Sequence, residues 1–299
     1  MSSIGPEAES LLLDRRTGKA DYRDTATLQT SGGSCSPNAN SRDRSKECGR
    51  VLVGKVAIVT GAGQGVGRGI AHALAAEGAT AVVVGRTLEK CVRTADEIIA
   101  EGGKALALAC DVSSREQVQA AVDQTVEAFG AIDILVNNAH TSRPMVSLEM
   151  TTDKDMSLAF KGVHGTLFFM QAAFPHLTAS RGRVINLGSV AGIRGDEGFA
   201  AYAAAKEAVR ALSRVAAREW GKHGITVNVI CPFSDSPGVE YMIENTPGFI
   251  DELTASTSMK RLGDSKQDVG RTAAFLASDA AAFVTGQTIN VDGGIWIAP

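Results

Sequence analysis

The feature that most constrains the fold is an alternation. From Lys55 onward the short apolar runs KVAIVT, TAVVVG, KALALA, IDILVNN, RVINLGS, ITVNVIC and QTINVDGG are separated by longer stretches with helical spacing, among them GRGIAHALAAEG, TLEKCVRTADEIIAEGG and SREQVQAAVDQTVEAFG. Several runs are apolar at nearly every residue, so both faces of the strands they form must be covered. Covered strands alternating with helices demand right-handed crossovers. This predicts an α/β fold, a doubly wound parallel sheet between two helical layers, built as one domain. In such a sheet ligands bind beyond the carboxyl ends of the strands, where the strand order reverses. A chain of 299 residues with 44% hydrophobic content can bury the core this requires.

Residues 1–52 have a different composition, rich in Ser, Gly, Arg and Asp as in SGGSCSPNANSRDRSKECGR, which predicts a disordered extension ahead of a catalytic domain over 53–299. Glu7, Glu9, Asp14, Asp21 and Asp24 argue against an organelle transit peptide, because such peptides are poor in acids. The chain has no cationic start followed by a continuous apolar core and no apolar run of membrane-spanning length, so a soluble, cytoplasmic protein with no membrane partner is expected. The formal net charge of -3 and the lack of a basic stripe interleaved with aromatics speak against nucleic acid as a partner. Cys35, Cys48, Cys91, Cys110 and Cys231 are scattered without metal or redox spacing and read as reduced, structural thiols, with no metal site.

Directly after the first predicted strand, TGAGQGVGRG opens a helix. Its glycines, Gly61, Gly65 and Gly67, permit a tight turn and close backbone approach, while the helix N-terminus offers free N–H groups and a positive dipole end to a pyrophosphate. Thr60, Gln64 and Val66 belong to the same cofactor-binding turn. The second strand should end beside the adenosine ribose, where an acid would bind a free 2'-hydroxyl and an Arg would accommodate a 2'-phosphate. Gly85 stands where the acid would be and Arg86 follows, which favours NADP(H) over NAD(H). Asp111 and Val112, ending the third strand, are placed to flank the adenine, the alternative for Asp111 being the N-terminal cap region of the next helix. Further on, Tyr202 and Lys206 lie four residues apart in a helical segment, so phenol and ammonium share a face. An adjacent cation favours the phenolate, so the pair is either a tyrosine tuned downward as an acid/base or two polar residues that share an ordinary helical turn.

With these motifs in order, the region from Val53 onward resembles the short-chain dehydrogenase/reductase family in its single-domain Rossmann form. The resemblance rests on the glycine turn at Thr60, Gly61, Gly65 and Gly67, the strand end Asn137, Asn138, Ala139, then Ser189, Tyr202 with Lys206, and the closing VDGG. It implies a hydride transfer between NADP(H) and a ketone or secondary alcohol. Tyr202 matches the catalytic acid/base, Lys206 the residue that lowers the tyrosine pKa and binds the nicotinamide ribose, and Ser189 the group that holds the substrate oxygen. Asn138 and Ala139 match the groups that hold the central strand against the cofactor, and Pro232 the position beside the nicotinamide. The family commonly assembles as homodimers or homotetramers, and the apolar GIWIAP terminus suits such an interface.

Three positions depart from the family pattern. His140 follows Ala139 where Gly is usual; His tolerates left-handed backbone, so the turn is expected to survive, the side chain being structural or a substrate contact. Phe233 follows Pro232 where Gly is usual, and its ring is expected to narrow the cofactor side of the pocket. Ala159 stands where many members carry an Asn that anchors a proton-returning water. On the substrate side, Met145, Val146, Ile193, Phe199, Phe233, Val239, Tyr241, Met242, Phe249 and Ile250 predict an apolar pocket. Arg143 and Arg194 either bind an acidic group or face solvent. A reductase of carrier-bound 3-oxoacyl chains and a non-catalytic dinucleotide-binding regulator are the competing readings.

Overall fold

The structure, a computed structural model, describes residues 49–143 and 145–297; the extension expected over 1–52, with Cys35 and Cys48, lies outside these but for its last few residues. Each apolar run forms a strand: β1 (Val56–Thr60), β2 (Thr80–Gly85), β3 (Lys104–Ala109), β4 (Ile134–Asn137), β5 (Arg183–Leu187), β6 (Thr226–Pro232) and β7 (Thr288–Val291). All pair in parallel, in the order β3-β2-β1-β4-β5-β6-β7. Ala57 is in register with Ala81 on one side and Ile134 on the other, so β1 and β4 are neighbours at the centre. The chain runs outward from β1 to β3 and then returns to start β4 on the far side of β1. The strand order therefore reverses between β1 and β4, and a crevice opens beyond their carboxyl ends.

Alternate strand residues feed two cores. Ala57 and Val59 pack with Ile70, Leu74 and Ile98 under α1 (Gly65–Ala76), α2 (Leu88–Ala100) and α9 (Arg271–Ala277). Val56 and Ile58 pack with Val122, Phe169 and Leu177 under α3 (Arg115–Phe129), α4 (Asp153–Ser180) and α6 (Ala200–Trp220). This is why β1 is apolar at every position but its last, and each large aliphatic side chain so buried contributes roughly 1.5–3 kcal/mol. Three shorter helices, α5 (Val190–Arg194), α7 (Pro237–Asn245) and α8 (Phe249–Ser256), follow β5 and β6 at the crevice end. Among the described residues no helix is long and apolar enough to cross a membrane.

Two local devices position the crevice. A capping box starts α4: the Thr152 hydroxyl accepts from the Asp155 amide, and the Asp155 carboxylate accepts from the Thr152 amide. The same carboxylate takes a bidentate pair from Arg143 at 2.8 and 2.7 Å, which ties the loop after β4 to the first turn of α4. Ala159 and Val163 of α4 then pack on Ala201, Ala205 and Val209 of α6, a contact of small side chains that sets the first turns of α6 close against α4.

Candidate active site

Glycine shapes the first wall of the crevice. Gly61 (φ 66°) and Gly65 (φ 54°) take left-handed backbone that a side chain would strain. A Cβ on Gly61 would lie 2.9 Å from the Ala139 Cα, and one on Gly67 would lie 2.6 Å from the Gly61 carbonyl oxygen. The turn therefore lies directly on the end of β4, and bonds stitch the two together. Thr60 Oγ1 accepts from the amides of Asn138 and Ala139, both at 3.0 Å, while Asn138 Nδ2 donates to the carbonyls of Thr60 at 2.9 Å and Gly61 at 3.2 Å. Thr60 and Asn138 thus hold β1 and β4 together at the switch point.

Beyond this turn lies a cleft of about 380 Å³. It is lined by Gly61, Gln64, Gly65 and Val66 of the glycine turn, Arg86, Asp111 and Val112 after β2 and β3, and Asn138 and Ala139 after β4. Thr60 and Gly67 sit behind the lining as supports. The N-cap of α3 is Ser114, and Asp111 is tied to the helix start, its carbonyl accepting from the Ser114 amide at 2.9 Å. Its carboxylate accepts from the Ser113 amide at 2.9 Å and hydroxyl at 2.8 Å, and these bonds hold its pKa below the ordinary carboxylate value. Pro232 closes β6 opposite Val291, away from this lining. The glycine cradle and the open helix N-terminus fit the pyrophosphate of a dinucleotide.

The sequence reading missed several cleft residues. Lys90 lines the cleft beside Arg86 and donates to Gln64 Oε1 at 2.5 Å, so two exposed cations flank the lip where β2 ends. Its signal was available: it falls four residues after Arg86, in the first turn of α2. A Cβ on Gly85 would approach the Cys91 sulfur at 2.9 Å, so this position does not easily take an acidic side chain. Lys161 and Gly162 enter from α4. Cys91, Cys110 and Cys231 are free and buried, and burial pushes their thiols up to about 11, as befits unreactive structural residues.

Tyr202 and Lys206 share a helix face, and Ser189, singled out by the family resemblance, ends the neighbouring strand. Ser189 is the N-cap of α5 and accepts from the Ala191 amide at 3.2 Å, which fixes its hydroxyl at the end of β5. It lies near enough to the Tyr202 hydroxyl to favour the phenolate. The half-buried Tyr202 ring stands edge-on to His140 at 5.0 Å and to Phe199 at 5.9 Å between centroids. Lys206 is buried and donates to the Leu187 carbonyl at 2.9 Å, with its nitrogen 5.7 Å from the centroid of the Tyr202 ring.

The electrostatics correct one expectation. Tyr202 is raised above the ordinary phenol value, not lowered: burial is the largest cause, and the nearby Ser189 hydroxyl offsets only part of it. The Lys206 ammonium donates to a backbone carbonyl, and it is not among the causes that set the Tyr202 shift. Burial also depresses Lys206 from 10.5 to about 8.

The three departures resolve differently. His140 does not adopt left-handed backbone, since Met145, Arg181 and Lys260 are the non-glycine residues with positive φ among those described. Its ring fits because position 162 is glycine: a Cβ there would lie 2.9 Å from His140 Nδ1. Phe233 lines a different cavity, of about 460 Å³, with Met259, Asn290 and Ile297, so it does not narrow the cofactor cleft. Ala159 is fully buried against α6. Of the expected apolar substrate residues, Val146 forms a bridge to Phe199 beside Tyr202, Met145 is exposed, and the side chains of Tyr241 and Met242 lie outside the described part. Arg143 and Arg194 are paired with Asp155 and Asp196 and are not free for an acidic ligand.

A glycine-turned dinucleotide cleft that ends beside a Ser, Tyr and Lys cluster defines the class: nicotinamide-dependent oxidoreductases. The chain belongs to the short-chain dehydrogenase/reductase family. The family model described as enoyl-(acyl carrier protein) reductase matches residues 61–296. The chain is 39% identical over 257 residues to a 12alpha-hydroxysteroid dehydrogenase of a Clostridium strain, covering 83% of this chain and 99% of that protein. It is 36% identical over 246 residues to the 3-oxoacyl-acyl-carrier-protein reductase FabG of Staphylococcus aureus, covering 81% and 98%. A solved structure from Sinorhizobium meliloti 1021, assigned to the short-chain alcohol dehydrogenases, superposes with a TM-score of 0.76 at 33% identity, covering 82% of this chain and 97% of that one.

Proposed function

We propose that this protein interconverts a hydrophobic ketone and its secondary alcohol with NADP(H), Tyr202 serving as the acid/base. The observation that carries the proposal is the gathering of Ser189, capped at the end of β5, and Tyr202 beside the buried Lys206. A positioned phenol and hydroxyl stabilise the oxygen charge that develops as hydride moves, and general acid–base help of this kind is worth roughly 10²–10⁴-fold. When bound, the cofactor supplies or accepts hydride at the nicotinamide C4. Gly61, Gly65 and the first turn of α1 would hold its pyrophosphate, and Asn138 and Ala139 its inner half. Arg86 and Lys90 would meet a 2'-phosphate, a role supported by Gly85 in place of an acid.

Phe199 and Val146 beside Tyr202 give the substrate side an apolar character, and the likeness to a hydroxysteroid dehydrogenase supports a bulky alcohol. The likeness to FabG favours a second reading, a carrier-bound 3-oxoacyl substrate. A cytoplasmic setting and a homodimer or homotetramer complete the proposal; exposed Phe283 and Ile297 suit self-association. The test compares NADP+ with NAD+ on hydroxysteroids, simple secondary alcohols and 3-hydroxyacyl thioesters, in the wild type and Arg86→Ala. Preference for NADP+ with a steroid, lost by at least tenfold in Arg86→Ala, supports the proposal. Equal use of both cofactors overturns the NADP(H) assignment, and turnover of the thioester alone establishes the second reading.

A further inference from the structure

The Tyr202 ring is not held by its own helix alone. It stands edge-on to two rings: Phe199, at the start of α6, with centroids 5.9 Å apart, and His140, from the end of β4, at 5.0 Å and an interplanar angle of 79°. Position 140 is usually glycine in the family, and a bare backbone there would leave this flank of the phenol open. The imidazole has a place because α4 carries no side chain opposite it: a Cβ on Gly162 would lie 2.9 Å from His140 Nδ1 and 3.2 Å from the Ala139 carbonyl oxygen. His140 and Gly162 both line the cofactor cleft, so the imidazole touches the cleft on one side and Tyr202 on another. No hydrogen bond within the described residues engages Nε2, which is buried without a partner, so the ring is seated by packing. Burial, the largest cause, pushes the imidazole down to about 3, and the ring therefore brings no charge to the phenol at neutral pH.

We propose that His140 is a positioning residue for Tyr202, its ring walling the phenol off from the water of the cleft and fixing the plane in which the hydroxyl meets the substrate oxygen. The inference rests on the acid/base role proposed above for Tyr202. Rings at this separation and angle adopt the edge-to-face arrangement that their quadrupoles favour, which resists rotation of the phenol about its stem. A wall that excludes water also disfavours the phenolate, in keeping with a Tyr202 pKa raised chiefly by burial. The titratable and polar groups that face Tyr202 are Ser189 from the start of α5, Cys231 from β6, Lys206 from α6 itself and His140 from β4. Removing the imidazole leaves the other three in place, so a change in how Tyr202 titrates reports the wall.

The test uses the full chain with His140→Gly, which opens the wall, and His140→Phe, which keeps a ring without the nitrogens. The first arm needs no turnover. The protein is labelled with [¹³Cζ]tyrosine, and the resonance of Tyr202, one of three tyrosines, is assigned by its loss in Tyr202→Phe and titrated through the alkaline range. In His140→Gly the phenol should ionise about one pH unit lower than in the wild type, and in His140→Phe within about 0.3 unit of it. The second arm measures kcat against pH for oxidation of a 12α-hydroxysteroid with NADP+. His140→Gly should lose roughly tenfold on the plateau while its rising limb moves to lower pH, and His140→Phe should restore both. A Tyr202 titration unmoved in His140→Gly overturns the wall, and a plateau within twofold of wild type overturns the positioning. A His140→Phe protein as impaired as His140→Gly shows that the nitrogens act, and overturns a role of shape. If His140→Gly does not fold, His140→Ala opens the same flank and is read in the same way. If the wild type oxidises no alcohol at all, the functional reading fails, and the NMR arm still decides whether His140 shields Tyr202.

Discussion

Replacing Lys206 with Met should stabilise the protein while abolishing its chemistry. Burial lowers Lys206 from 10.5 to about 8, and a depression of that size corresponds to roughly 3 kcal/mol of unfavourable differential stability. Met fills nearly the same volume without the charge, but it removes the donor to the Leu187 carbonyl, at a cost of about 1 kcal/mol. The net expectation at pH 7 is a gain of roughly 2 kcal/mol in the cofactor-free protein. The sign follows from the lowered folded pKa: the folded state binds fewer protons than the unfolded one, so the wild-type penalty is full below about 8 and fades as pH rises toward 10.5. Urea unfolding of both proteins at pH 7, 8.5 and 10 measures it. A gain at pH 7 that shrinks with pH supports the reasoning. A Lys206→Met protein less stable than wild type at pH 7, or a difference that does not vary with pH, refutes it. The gain would mark Lys206 as a residue kept for function at the expense of stability.

Two further outcomes test the scaffold. Phe169, fully buried in the core beneath α3, α4 and α6, should cost about 3–5 kcal/mol when changed to Ala, read as a lower urea midpoint with an unchanged slope. Asp268 pairs with Arg261 and is lowered to about 2, so its contribution is complete above the ordinary carboxylate pKa and is lost as pH falls from about 4 to about 2. Asp268→Asn should therefore lose less stability than wild type over that acid range; parallel curves would remove this ion pair from the account.

The sheet was legible because burial on both faces leaves a mark on every residue of a strand: VAIVT in β1 and the alternate packing of its side chains are the same fact. The Tyr202 and Lys206 pair was legible because helix faces have a fixed period, whereas Ser189 was marked by the family resemblance and not by spacing alone. What escaped depends on distances between elements far apart in sequence. His140 takes no left-handed turn because Gly162, on α4, makes room for its ring. Phe233 faces the cavity near Ile297 because β6 hands over to β7 there, with the Phe233 amide donating to Val291. The direction of the Tyr202 shift could not be read from the spacing either, since burial sets it and the lysine four residues on is not among its causes. Lys90 went unnoticed although its position in the first turn of α2 carried the signal.

The central claim is that Tyr202 exchanges the proton of the substrate oxygen. Single-turnover hydride transfer by wild type and Tyr202→Phe, with NADP(H) affinity measured in both, tests it most directly. The account predicts a loss of roughly 10²–10⁴-fold in the hydride step with cofactor affinity held within twofold. Equal rates in the two proteins would contradict it.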